Sequence, residues 1–236
     1  MPSSSSAYLH ILDCLKKLET SGEEVRFINT YHGMPVSYPG RVLSVGVGRV
    51  EFYAPQPQIV CMRNDKFTYF KGKELISTVR ASVIQTSMDG EKVLLRGFEY
   101  VEDSIGLRST VRVETGDTIL ANIEPMGSSP FEARVREISL SGLMVITWGR
   151  TFDPVAVKKG TKMHLDFRLP IPSGREKSTP AEVEGTLVNV FLVTGTPEHR
   201  LGIETIRNIE YERLITRYIS QRQLDLLKEI KSFCNK

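Results

Sequence analysis

The chain has 236 residues, 40% of them hydrophobic and 25% charged, a balance that suits a globular protein with apolar material for two small cores. Its formal net charge of +3 permits an anionic ligand but does not demand a polyanion such as DNA. No apolar run approaches the roughly 20 residues of a membrane span. Cys14, Cys61 and Cys234 are too scattered to suggest a disulfide framework or a metal site. With no charged-then-apolar leader pattern at the start, the expectation is a cytoplasmic protein with reduced thiols and no direct membrane insertion.

Residues 7–20 carry Tyr8, Ile11, Leu12, Leu15 and Leu18 at helical spacing, which predicts a short amphipathic helix capped by the preceding serines and ended by Gly22. From Val25 to Val101 the pattern changes to short runs of Val, Ile, Phe and Tyr. Gly33, Pro35, Pro39, Gly40, Gly46, Gly48, Pro55 and Pro57 punctuate them, and many short strands of this kind predict a small antiparallel barrel or sandwich. The clearest hairpin is Val79–Met88, Asp89-Gly90 and Lys92–Val101. Asp-Gly favours a two-residue turn with positive φ at both positions.

The polar, glycine-containing stretch Glu102–Gly106 predicts a domain boundary. The expected organisation is an N-terminal helix plus β-barrel regulatory domain over 1–101, a linker over 102–110, and a second domain over 111–236. In the second domain Thr118–Glu124, Phe131–Ile138, Leu143–Thr147, Lys162–Leu169, Ala181–Thr194 and Arg200–Ile206 read as strands, and Pro170–Pro180 as an exposed loop. A closing helix spans about Ile209 to Ser232, with Ile215, Ile219, Leu226, Ile230 and Phe233 on its apolar face. The fold class is therefore all-β, two small antiparallel β-barrels with short flanking helices.

Several catalytic signatures are missing from the sequence: GxSxG, HExxH, GxxxxGK[ST] and a strand-borne GxGxxG. The four histidines are isolated from one another, so no catalytic residue and no metal ligand is assigned, and the protein is read as a non-enzyme. Two pieces remain. Arg108-Ser-Thr-Val-Arg112 leaves the linker, and Glu137-Ile-Ser139-Leu-Ser-Gly142 follows at about the distance of one hairpin. With 18 arginines in the chain, about one or two RxxxR pairs arise by chance, and Arg213/Arg217 is such a second pair on the closing helix. The order and spacing of the two pieces carry the signal. They read as one anion- and purine-binding site.

The combination resembles the two-part motif of the PilZ domain family, RxxxR followed by [D/N]xSxxG. The likeness extends over 107–236 and includes the late Leu201-Gly202-Ile203 strand and the closing helix from Tyr211 to Gln223. It implies a six-stranded barrel with a C-terminal helix and a site for cyclic di-GMP made by Arg108, Arg112, Glu137, Ser139 and Gly142. A β-rich domain ahead of it resembles the flagellar-brake type of two-domain receptor. That implies a protein partner, such as the flagellar motor or another envelope machine, in the control of motility, biofilm or secretion.

The chemistry agrees with the resemblance. Guanidinium forks onto phosphate and matches the N7/O6 edge of guanine. The carboxylate accepts from guanine N1/N2 or holds an arginine; Ser139 donates to phosphate or stabilises the turn; Gly142 permits close backbone approach. Glu137 departs from the usual Asp or Asn and is one methylene longer, which costs on the order of 1–3 kcal/mol if one charged hydrogen bond is displaced. Two rivals remain, a non-binding adaptor and a nucleic-acid-binding barrel. Lys66-Phe-Thr-Tyr-Phe-Lys71 has the look of the latter, but an amphipathic strand with charged ends explains it, and no nucleic-acid partner is expected.

Overall fold

In the computed structural model, which describes residues 4–102, 110–148, 152–171, 177–206 and 208–234, the first helix, α1 (Ser4–Ser21), stops at Gly22. Gly22 takes φ +68° and returns its N–H to Leu18 O at 3.0 Å, a left-handed turn that glycine adopts without strain. Ser4, Ser5 and Ser6 lie inside the first turn, and the preceding serine, Ser3, lies outside the described residues. Ile11, Leu15 and Leu18 are fully buried, so the apolar stripe seals a core made by the strands that follow.

Those strands are β1 (Glu24–Tyr31), β2 (Met34–Val36), β3 (Pro39–Val45), β4 (Arg49–Tyr53), β5 (Phe67–Lys71), β6 (Thr78–Ser87) and β7 (Lys92–Val101). The sheet order is β2-β1-β3-β4-β7-β6-β5, and β1 also pairs with β5. That pairing closes a six-stranded antiparallel barrel and leaves β2 as an appendage on β1. At its centre Phe27, Phe52 and Phe70 stack edge-on or tilted, with centroids 5.4–5.8 Å apart. Of the Lys66–Lys71 stretch, Phe67–Lys71 is a strand as expected, with Thr68 and Phe70 turned inward, while Lys66 is the left-handed residue that ends the helix before it.

Two local expectations are corrected. The Pro55/Pro57 region holds a helix, α2 (Gln56–Asp65), with proline in its first turn, where the missing N–H is no loss. Gln58 to Met62 are all buried, so the middle of α2 has no exposed side, and its exposed residues Arg63 and Asn64 lie in the last turn. Gln58 Nε2 donates to Asn29 Oδ1 at 2.8 Å, and Asn29 Nδ2 donates to Asp65 Oδ2 at 2.9 Å. These bonds satisfy the buried polar groups that fasten α2 to β1. The second correction is at the β6–β7 turn. Asp89-Gly90 is central, with Glu91 N–H donating to Met88 O at 3.1 Å, but the residue with positive φ is Glu91, at 48°. A turn without positive φ at its centre has the wrong twist for the strands, and a left-handed residue just after it restores the match.

The second barrel comprises β8 (Arg112–Pro125), β9 (Phe131–Ser139), β10 (Gly142–Trp148), β11 (Lys162–Leu169), β12 (Thr179–Leu192) and β13 (Glu198–Thr205). It closes in the order β10-β13-β12-β11-β8-β9, the six-stranded closed barrel that was expected. Ile123, Val135, Ile138, Leu165, Leu187 and Leu201, all fully buried, belong to its core. The β8–β9 register shifts between Glu114 and Ile119, so β8 begins six residues before the Thr118 expected from apolar alternation.

The closing helix, α3 (Ile209–Cys234), presents Tyr211, Ile215, Tyr218 and Ile219 to that core. By packing, the chain forms two units, 110–225, and 1–109 together with 226–236. The expected second domain runs to residue 236, whereas Leu226 and Ile230 are buried in a cluster with Tyr31, Met34, Val36, Val60 and Cys61 of the first unit. Tyr31 donates its hydroxyl proton to Glu229 Oε1 at 2.8 Å. Phe233, expected on the apolar face, is 45% exposed. No helix among the described residues is long and apolar enough to cross a membrane.

Candidate ligand site on the second barrel

Strand register brings the two sequence pieces together. Arg112, expected just ahead of the first strand, is the first residue of β8 and lies directly opposite Ser139 on β9. Ser139 faces Gly142 on β10, and Gly142 faces Glu204 on β13. Beyond the buried row of Val113, Ile138, Leu143 and Ile203 comes the row of Glu114, Glu137, Met144 and Gly202, continued by Asn189 on β12. Neighbouring strands are about 4.8 Å apart, so four predicted residues from two separate segments fall within two alternate rows. They line a cavity of about 340 Å³ on the barrel's outer face. Arg108 and most of the linker, 103–109, lie outside the described residues, as do Ser173 and Gly174 of the predicted loop.

Each side chain has a distinct situation. Arg112 is exposed and Glu137 half-buried. Ser139 is only 3% exposed. Its hydroxyl donates to Gly142 O at 3.0 Å and lies 3.4 Å from Ser141 Oγ, which in turn is 3.2 Å from Thr110 Oγ1. Of the two roles expected for Ser139, bracing the tight β9–β10 turn is the one seen. Gly142 is set by packing rather than by φ: a Cβ there would collide with the Ile203 carbonyl oxygen of β13. The cavity thus offers a guanidinium, two carboxylates (Glu137 and Glu204), a bracing hydroxyl and close-set backbone, which suits a ligand with both an anionic group and a hydrogen-bonding edge.

Two cavity residues had no motif to reveal them. Asn189 and Phe191 line it from β12. A register shift between Leu187 and Asn189 turns both outward, leaving Phe191 56% exposed. For Phe191 the sequence holds one trace, an apolar side chain at an outward position; the polar Asn189 leaves none. The second RxxxR pair behaves as a solvated helix face, with Arg213 and Arg217 both exposed. No cluster of three or more His, Cys, Asp or Glu residues capable of holding a metal ion occurs among the described residues.

No family model matches the sequence. A protein of Aquifex aeolicus (strain VF5), described as uncharacterized, is 30% identical over 166 residues, which are 70% of this chain and 72% of that protein. The chain belongs to that protein's family. Among solved structures it is similar to the Bacillus subtilis inhibitor of motility MotI/DgrA, with 16% identity, coverage of 86% of this chain and 97% of that one, and a TM-score of 0.43. It is similar to the K. pneumonia MrkH–c-di-GMP complex, with 12% identity, 98% and 96% coverage and a TM-score of 0.44. It is also similar to the PilZ domain of YcgR from Escherichia coli with c-di-GMP, with 14% identity, 53% and 98% coverage and a TM-score of 0.41.

Proposed function

We propose that the second barrel is a PilZ-type domain that binds cyclic di-GMP, and that the chain is a receptor rather than an enzyme. The observation that carries the reading is the pair of alternate rows holding Arg112, Glu137, Ser139 and Gly142 around one open cavity. Arg112 supplies a bidentate contact to phosphate or to the guanine N7/O6 edge, and Glu137 accepts from the N1/N2 edge. Ser139 and Gly142 keep the turn tight enough for backbone to approach the ligand. Arg108 supplies the second guanidinium from the linker. Ligand capture by the linker arginine then changes how the two barrels are arranged, and so presents or hides a surface for a protein partner that controls motility, biofilm or secretion.

The test is a calorimetric titration with cyclic di-GMP. Arg112→Ala is expected to weaken binding ten- to a hundredfold, the size of one lost charge-assisted contact. Ser139→Ala is expected to weaken it about tenfold through the turn. Affinity unchanged in both variants would remove the site assignment.

A second reading has its own support. Ser139 and Gly142 both have packing duties that need no ligand, and Glu137 departs from the family's Asp or Asn. On that reading the chain is a non-binding adaptor used for protein–protein contact. A ligand present at a hundred times its Kd stabilises the folded state by about 2.7 kcal/mol, so the absence of any thermal shift at millimolar cyclic di-GMP decides for the adaptor.

A further inference from the structure

Glu114 and Glu137 are direct partners in the β8–β9 register, and two carboxylates so placed repel one another. Only Glu137 lines the cavity. The difference traces to an irregularity in β9. Val135 and Ile138 are both fully buried, while Arg136 and Glu137 between them are half-buried. Arg136 is passed over in the ladders to β8 and to β10 alike. Against β10 it is the extra residue of a bulge, a device that re-aims a side chain, while on the other side it stands opposite the unpaired residues 115–118 of β8; Arg136 and Glu137 thus lie side by side on the outer face. Arg136 Nη2 meets Glu114 Oε2 at 3.2 Å. The backbone of Glu114 is held as well, with Arg222 Nε on α3 donating to its carbonyl oxygen at 3.0 Å. No partner is seen for Glu137 among the described residues.

We infer that Arg136 and Glu114 are positioning residues of the site. Their ion pair takes up the charge of Glu114 and keeps it from Glu137, which leaves the Glu137 carboxylate directed at the cavity and free to accept from a ligand. This rests on reading the cavity as a cyclic di-GMP site. It also accounts for how a glutamate works where a shorter residue is usual: the bulge and the ion pair, rather than a local turn bond, set the carboxylate's direction. Loss of Arg136 would remove a cation held 3.2 Å from the Glu114 carboxylate, close to a ligand that carries two phosphates.

The test is a double-mutant cycle in calorimetric titrations with cyclic di-GMP, using Arg136→Gln, Glu114→Gln and both together. Arg136→Gln is expected to weaken binding about tenfold. Glu114→Gln is expected to tighten it about threefold, because an anion next to the ligand is gone and Arg136 is released. In the Glu114→Gln background, Arg136→Gln is expected to cost less than about threefold. A merely structural Arg136 gives the same loss in both backgrounds, which overturns the inference, as does an Arg136→Gln variant that binds like the parent. Raising salt to 0.5 M shrinks the Arg136→Gln defect if it is electrostatic. A defect of equal size in high salt counts against the inference. Arg136→Lys guards against misfolding, since it keeps the cation on the bulge and is expected to recover part of the affinity. No binding by the parent chain overturns the site reading and this inference together; parent binding with equal losses in both backgrounds overturns the inference alone.

Discussion

At Gly142 the need for glycine comes from a neighbour rather than from the residue's own backbone angles. Its φ is not in the left-handed region, yet a single methyl group would meet the Ile203 carbonyl oxygen and approach Glu204 Cα. Neither atom can rotate away, because both belong to the backbone of β13. Gly142→Ala is therefore expected to destabilise the second barrel by about 1–3 kcal/mol, the usual cost of overpacking, with a matching fall in urea midpoint and no ligand present. A midpoint equal to that of the parent would show that β13 gives way easily. The same contact limits what sequence could reveal. Arg112, Glu137, Ser139 and Gly142 were visible as a spaced motif, and hairpin distance brought them to neighbouring strands. Asn189 and the Glu114–Arg136 pair were not visible, because their places depend on register shifts in β8, β9 and β12 that no residue type announces; Phe191 left only the trace of an apolar residue at an outward position.

Element by element, legibility followed whether a segment had one wet face. β11 (Lys162–Leu169) alternates inward and outward without a break, and its limits were readable to the residue. α2 was missed because it has almost no wet face: Gln58-Ile-Val-Cys-Met62 is buried throughout, and an apolar run of that kind looks the same in a strand and in a buried helix. Its burial has a titration consequence. Removal from water, helped by the Asp65 carboxylate, pushes the Cys61 thiol up to about 12 from the ordinary 9.0. Below pH 9 the thiol is neutral in both folded and unfolded chains and pH does not matter. Between 9 and 12 the unfolded chain releases its proton while the folded one keeps it. The unfolded state then binds fewer protons, and stability falls by about 1.4 kcal/mol per pH unit from this group. Tyr218, also pushed up to about 12 by burial, steepens the fall above its ordinary 10. The expected measurement is a denaturant midpoint that declines from pH 9 to pH 11 in the parent and declines less in Cys61→Ala. Equal slopes in the two proteins would rule out Cys61 as the source.

For the whole molecule, each barrel has its own apolar cluster, so each has the makings of an independently stable body. A ligand bound to the second can rearrange the pair only through contacts that exist in one arrangement and not in the other. Turning a 1:99 population into 99:1 takes about 5.5 kcal/mol of differential binding. One charge-assisted contact supplies about 1.5–3 kcal/mol; Arg112 belongs to β8 and keeps its contact in either arrangement, so the differential contact is that of the linker guanidinium Arg108, which shifts the population about ten- to a hundredfold. This makes Arg108 the residue that separates binding from rearrangement. Small-angle scattering of the parent chain at saturating cyclic di-GMP is expected to show a changed radius of gyration. Arg108→Ala, raised to a concentration of ligand that restores saturation, is expected to bind without that change. Identical scattering with and without ligand in the parent would leave the receptor without its proposed switch, and an Arg108→Ala chain that still rearranges would move the switch to contacts elsewhere in the second barrel.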